Sequence, residues 1–117
     1  MSQEVKVEGH GKLTATFDSI KEYNRWCGLR LLERAGKISE LSRQTELIIQ
    51  PKTKVGDMVI KKVAYKADFV YNRNGTTVVE DVKTFDSKTN AFRTTKDFRI
   101  KWKLLQTKYQ DYSFEIY

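Results

Sequence analysis

One cysteine, one histidine and one proline in 117 residues exclude several chemistries at once. A lone Cys27 leaves no disulfide framework and no cysteine-based zinc site, and it fits a reducing compartment. A lone His10 leaves little material for a histidine base or a histidine-rich metal site. No apolar run approaches the roughly 20 residues that cross a bilayer, and the N-terminus carries no signal-peptide core. Repeats, low-complexity tracts and Pro/Gly/Ser-rich linkers are also missing. The expectation is one soluble cytoplasmic domain over residues 1–117, with residues 1–12, which include Gly9 and Gly11, as a loose arm.

What is abundant is positive charge and aromatic surface. Twenty-two Lys and Arg oppose fifteen Asp and Glu, a formal net charge of +7. Six Phe, six Tyr and two Trp are anchors that disordered basic tails lack, so a folded core is expected. The excess charge favours a polyanion, nucleic acid first.

The apolar pattern predicts a helix over Ser19–Ala35, with Ile20, Tyr23, Cys27 and Leu31 at helical spacing and Trp26, Leu29 and Leu32 widening the stripe. Ser19 suits its N-cap and Gly36 its C-terminal stop. Strands are predicted at Thr45–Gln50, Met58–Tyr71 and Thr76–Phe85, the first two separated by Pro51 and a polar Lys52–Asp57 loop. A second helix is predicted over Thr94–Tyr109, with Phe98, Trp102, Leu105 and Tyr109 inside and Thr94/Asp97 at its start. Tyr112–Tyr117 closes the chain as a strand. The class is α/β (α+β), in the order α-β-β-β-α-β, with a mostly antiparallel sheet flanked by helices.

Asn74-Gly75 between two strand-like runs is a strong hairpin signal. A two-residue loop there sets Tyr71 opposite Val78, Val70 opposite Val79, Asp68 opposite Asp81 and Lys66 opposite Lys83. Opposed residues share a face, with Cβ atoms roughly 4.5–5.5 Å apart. Two carboxylates so placed repel unless one is protonated, a lysine neutralises them, or a divalent cation lies between them. Mg²⁺ takes oxygen ligands and uses one or two protein carboxylates, so Asp68 and Asp81 are candidate metal ligands. In Glu80-Asp81-Val82-Lys83, Asp81 and Lys83 share a face and Glu80 points the other way, unless a bulge exchanges Glu80 with Asp81. Lys83 would then stand beside the metal ligand, where it can orient a nucleophilic water or offset phosphate charge.

Ala67-Asp68, the hairpin and Asp81-Val82-Lys83 resemble the signature of the PD-(D/E)XK nuclease superfamily, with Ala67 in place of the frequent Pro. The element order resembles that superfamily's restriction-endonuclease-like core. More narrowly, the chain resembles a family of short phage-encoded, Holliday-junction-resolvase-like endonucleases. The matching segments are Phe17-Asp18-Ser19-Ile20-Lys21-Glu22, Ala35-Gly36-Lys37-Ile38, Gln44, Tyr65-Lys66-Ala67-Asp68-Phe69 and Glu80-Asp81-Val82-Lys83.

The resemblance implies a Mg²⁺-dependent endodeoxyribonuclease, with Mn²⁺ as a substitute. It acts on branched or junction DNA in phage recombination or replication and works as a homodimer, since one small domain carries one active site. It implies a third acid at Glu22. Spacing alone reads Ser19-x-x-Glu22 as a capping box, and the two roles are compatible. Gln44 resembles an auxiliary glutamine and equally suits a polar strand start. Lys66, Lys88, Arg93, Lys96, Arg99 and Lys103 would hold the phosphate backbone, or else are solvated surface charges. The alternatives are a nuclease of the same fold for single strands, flaps or nicks, and a non-catalytic basic DNA-binding module.

Overall fold

The computed structural model describes residues 5–9, 13–17 and 19–117. His10 lies outside the described residues. The segment 1–12, expected to be a loose arm, instead holds β1 (Val5–Gly9), which pairs antiparallel with β2 (Leu13–Phe17) just beyond it. The alternation in Val5-Lys6-Val7-Glu8 and Leu13-Thr14-Ala15-Thr16-Phe17 suits a strand pair.

The rest is a mixed α+β fold. Helix α1 (Ile20–Arg34) is followed by β3 (Ser39–Gln50), β4 (Thr53–Val55), β5 (Met58–Ile60), β6 (Val63–Arg73) and β7 (Thr76–Asp81). Then come β8 (Phe85–Asp86), β9 (Ala91–Phe92), helix α2 (Lys96–Lys108) and β10 (Ser113–Ile116). The central sheet has the order β10-β7-β6-β3; β3, β6 and β7 run antiparallel and β10 runs parallel to β7. The α-β-β-β-α-β order therefore stands, with two small hairpins inserted.

The expected Met58–Tyr71 strand is divided at Lys61-Lys62, and the expected polar loop is half of a second hairpin, in which β4 pairs with β5 around Gly56-Asp57. The third strand stops at Asp81, and Phe85 belongs to the separate β8–β9 pair. The N-cap of α2 is Thr95, whose Oγ accepts from the Phe98 N–H at 3.0 Å. Thr94 instead accepts from the Arg99 guanidinium through its carbonyl and hydroxyl oxygens.

Two apolar clusters clamp the sheet. Phe98, Trp102 and Leu105 of α2 pack on Leu47, Ala67 and Val79. Leu29 of α1 packs with Ile38, Phe69, Tyr71 and Val78, and Trp26 stacks on Phe69 with centroids 5.9 Å apart. Each large side chain so buried contributes roughly 1.5–3 kcal/mol. The buried face of α1 keeps part of the expected stripe: Leu29 is buried and Trp26 packs beside it, whereas Ile20, Leu31 and Leu32 are exposed and Glu22 is buried. Arg25 and Glu22 have partners on the sheet side, and these polar anchors set the rotation of the helix.

The hairpin register is as expected. Asn74 and Gly75 both have positive φ (54° and 83°), closing a type I′ turn between Arg73 and Thr76. Tyr71 faces Val78, Val70 faces Val79 and Phe69 faces Glu80. Beyond that pair the backbone ladder ends, so Lys66 and Lys83 do not become ladder partners; Lys66 faces Glu46 of β3 and is exposed. The face of β6 changes at the same point. Tyr65 and Ala67 join the α2 cluster and Phe69 and Tyr71 the α1 cluster, although the two-residue period of a strand would give all four one face. Gln44 stands opposite Asp68 in β3 at φ 53°, a left-handed backbone that breaks the strand's regular alternation there.

Candidate active site

The break in the β6–β7 ladder is made by the two aspartates. The Asp68 backbone N–H donates to Asp81 Oδ1 at 2.9 Å, and the Val82 N–H donates to Asp68 Oδ2 at 2.8 Å. Carboxylates thus take the place of backbone carbonyls, and the strands part around them. The other edge of β7 stays fixed by β10, because the Tyr117 N–H donates to the Asp81 carbonyl and the Lys83 N–H to the Tyr117 carbonyl. Strand β10 holds residues 81–83 extended while β6 leaves.

Four further side chains converge here. Gln44 Nε2 donates to Glu22 Oε1 at 3.1 Å and Asp68 Oδ1 at 3.3 Å, joining α1, β3 and β6. Lys83 Nζ lies 3.5 Å from Asp81 Oδ2 and 4.2 Å from the centroid of the Phe98 ring. The Tyr65 hydroxyl donates to Asp81 Oδ2. Glu22 is buried, its N–H donating to Ser19 Oγ at 3.1 Å, so the cap and a place in this cluster coexist. Arg43 approaches Glu22 at 4.0 Å and lies over the Phe17 ring.

Glu22, Gln44, Asp68, Asp81 and Lys83, all named from sequence, are therefore brought together. Glu80 is not among them. It is turned to the α1 side, where Arg25 grips both carboxylate oxygens at 2.7 and 2.8 Å and the Tyr71 hydroxyl donates at 2.9 Å. Lys66, Lys88, Arg93, Lys96, Arg99 and Lys103 are exposed. Lys96 and Arg99 flank Phe98 on the first turns of α2, the part of that helix beside Lys83. Arg93 pairs with Asp86 at 3.6 Å.

Tyr65 and Lys21 were not singled out from sequence. Lys21 Nζ donates to the Lys83 carbonyl at 2.7 Å and stands over the Tyr117 and Phe92 rings. The only sequence signal was position: Lys21 adjoins Glu22, and Tyr65 has strand parity with the buried Ala67.

Among the described residues the Asp68–Asp81 pair has one close cation, Lys83. Burial, then the Asp81 charge, pushes the Asp68 carboxyl up to about 7, against a smaller opposing effect of the Val82 N–H. Burial also raises Asp81, opposed by the Tyr65 hydroxyl, the Asp68 N–H and Lys83. Among the described residues, no group of three or more His, Cys, Asp or Glu stands arranged to hold a metal ion. The Gln44 amide separates Glu22 from Asp68, and Tyr65 occupies an Asp81 oxygen. The donor chemistry nevertheless suits a hard divalent cation. The oxygens are carboxylate, the acids exceed their neutralising partners, and the Gln44 contact with Asp68 is long enough to yield.

Among the described residues no helix is long and apolar enough to cross a membrane. No curated protein and no solved structure matches the chain. Residues 3–116 match a family model described as protein of unknown function (DUF1064), and the chain belongs to that family.

Proposed function

We propose that this protein is a metal-dependent DNA endonuclease. The observation that carries the reading is the interlocked pair Asp68–Asp81, parted from the strand ladder, with Lys83 at 3.5 Å and Glu22 reached through Gln44. A structural role for Asp68 and Asp81 would call for matched cations, as Glu80 has in Arg25.

Asp68 and Asp81, with Glu22, would hold Mg²⁺ or Mn²⁺, which when bound supplies Lewis-acid charge at the scissile phosphate and a more acidic water. Lys83, fixed through its backbone by Tyr117 and Lys21, directs its ammonium toward the same oxygens. There it orients the attacking water and offsets the negative charge that grows on the phosphate. Phe98 beneath the ammonium limits its solvation. Gln44 holds Glu22 and Asp68 in one orientation. Lys96, Arg99 and Lys103 on α2, with Lys88 and Arg93 nearby in the chain, hold the DNA backbone without reading bases.

Branched DNA is the proposed substrate, cut by a pair of chains acting on two strands. The test is a panel of labelled four-way, flap, duplex and single-stranded DNAs with Mg²⁺, Mn²⁺ or EDTA. Cleavage is expected with either metal, highest on the four-way junction, and lost in EDTA and in Asp81→Asn. Metal-independent binding with no cleavage of any substrate would leave a non-catalytic DNA-binding module.

A further inference from the structure

The β4–β5 hairpin is built unlike the central sheet. Its strands pair only with each other and pack extensively on no other element among the described residues. Val55 and Met58 beside its turn are 62% and 67% exposed, and Val59 and Ile60 are exposed as well. Strand alternation puts Val55, Met58 and Ile60 on one face and Lys54 with Val59 on the other. An isolated two-stranded hairpin is marginal in water, and exposed apolar strand surface invites association. This surface therefore calls for a partner.

Charge identifies the partner's chemistry. Lys52, Lys54 and Lys61 flank the apolar tip, Lys62 is paired with Glu46 at 2.7 Å, and Asp57 is the only acid from Pro51 to Lys62. A second copy would bring like charges together, whereas a polyanion complements them. Position narrows the choice. The hairpin keeps the register of the Gln50↔Val63 pair, so it prolongs the β3–β6 ribbon that carries Gln44 and Asp68. At about 3.3 Å per residue, the ten residues from Met58 to Asp68 reach at most about 33 Å. That is about one turn of B-DNA.

We infer that the hairpin is a DNA arm serving the proposed endonuclease, on which reading the choice of DNA rests. Its lysines sit on phosphates about one turn from the cut. Val55 and Met58 enter between bases where stacking is already interrupted, as at a branch point; apolar wedges of this kind unstack base steps in architectural proteins.

The test is fluorescence anisotropy in EDTA, so that binding is read apart from cleavage and metal. The wild type is compared with Val55→Ser/Met58→Ser and with Lys52→Gln/Lys54→Gln/Lys61→Gln, on labelled four-way and intact duplex DNA across a salt series. Both variants should keep the wild-type thermal midpoint, because the hairpin supports no other element. The lysine variant should bind both DNAs more weakly, with a salt slope smaller by about 3. The tip variant should lose about tenfold in affinity for the junction alone, with its slope and duplex binding unchanged. Unchanged binding by both variants overturns the inference. So does a wild-type dimer in sedimentation that the tip change dissociates, since the surface would then belong to a second copy. A chain that cleaves but ignores the hairpin changes fails this inference alone; one that shows these binding changes but never cleaves fails the nuclease reading alone.

Discussion

Glu80 and Asp81 are neighbours on one strand, both about 1% exposed, and they lead opposite lives. Glu80 faces α1, where a bidentate Arg25 and the Tyr71 hydroxyl satisfy it. Asp81 faces Asp68, with one lysine nearby and a third acid reached through an amide. Glu80 is matched, as a buried charge must be if it is only to hold a fold together. The Asp81 side leaves acids crowded and one carboxyl raised to about 7, the state expected where a cation is to be received.

The largest test of this contrast is to remove each acid's function in turn. Asp81→Asn should lower metal-dependent cleavage at least about 10³-fold, about 4 kcal/mol in barrier, in single-turnover assays. Its unfolding free energy should change by less than about 1 kcal/mol. Arg25→Ala should do the reverse. It leaves Glu80 buried without its cation and should cost about 3 kcal/mol in urea denaturation, while the folded enzyme cleaves normally. If Arg25→Ala abolishes cleavage in folded protein, the division of labour is wrong.

The next effect concerns Asp68, whose carboxyl is raised from 3.8 to about 7 in the fold. Between these values the folded chain keeps a proton that the unfolded chain has lost. Metal-free stability is therefore full below about pH 4, falls as the pH rises toward 7, and levels off above it. Asp68→Asn should remove that decline. Because Asp68 is only partly buried, the variant should gain about 1–2 kcal/mol over wild type at pH 8 in EDTA and nothing at pH 4. Saturating Mg²⁺ should erase the gain by stabilising only the wild type. A pH-independent difference between the two proteins would remove Asp68 from the unneutralised side.

The sequence disclosed most of this side of the molecule and little of the other, for a physical reason. Asn74-Gly75 sets the register, and that register, carried one pair past its last ladder partners Phe69 and Glu80, brings Asp68 toward Asp81, where side-chain bonds replace the ladder; parity then joins Lys83 to them and sends Glu80 away. Such inferences follow from the two-residue period of a strand. Hydrophobic spacing found Leu29 and Trp26 on the inner face of α1 but misplaced Ile20 and Leu31, because that face is also anchored by Glu22 and Arg25, which an apolar pattern cannot register. The change of face at Asp68 was equally hidden. It falls opposite a left-handed Gln44, a conformation its residue type does not announce. The β4–β5 hairpin was masked by its lysines, which made one of its strands look like a loop.

The smallest difference separates two tyrosines that look alike in sequence, six residues apart on β6. Tyr71 donates to Glu80 and Tyr65 to Asp81. Phe at either position keeps the ring, and the Tyr65 ring retains its packing on Phe98 and Trp102. Each change removes one hydroxyl bond to a buried carboxylate, so each should cost about 1.5–3 kcal/mol in EDTA. Mg²⁺ should then distinguish them. Tyr71→Phe should cost the same with or without metal, because nothing competes for Glu80. Tyr65→Phe frees an Asp81 oxygen that the hydroxyl otherwise occupies, so metal should bind more tightly to the folded variant and offset its loss. Unfolding of both variants over a Mg²⁺ titration measures the difference directly, and equal responses would mean that the two acids face the same kind of surroundings after all.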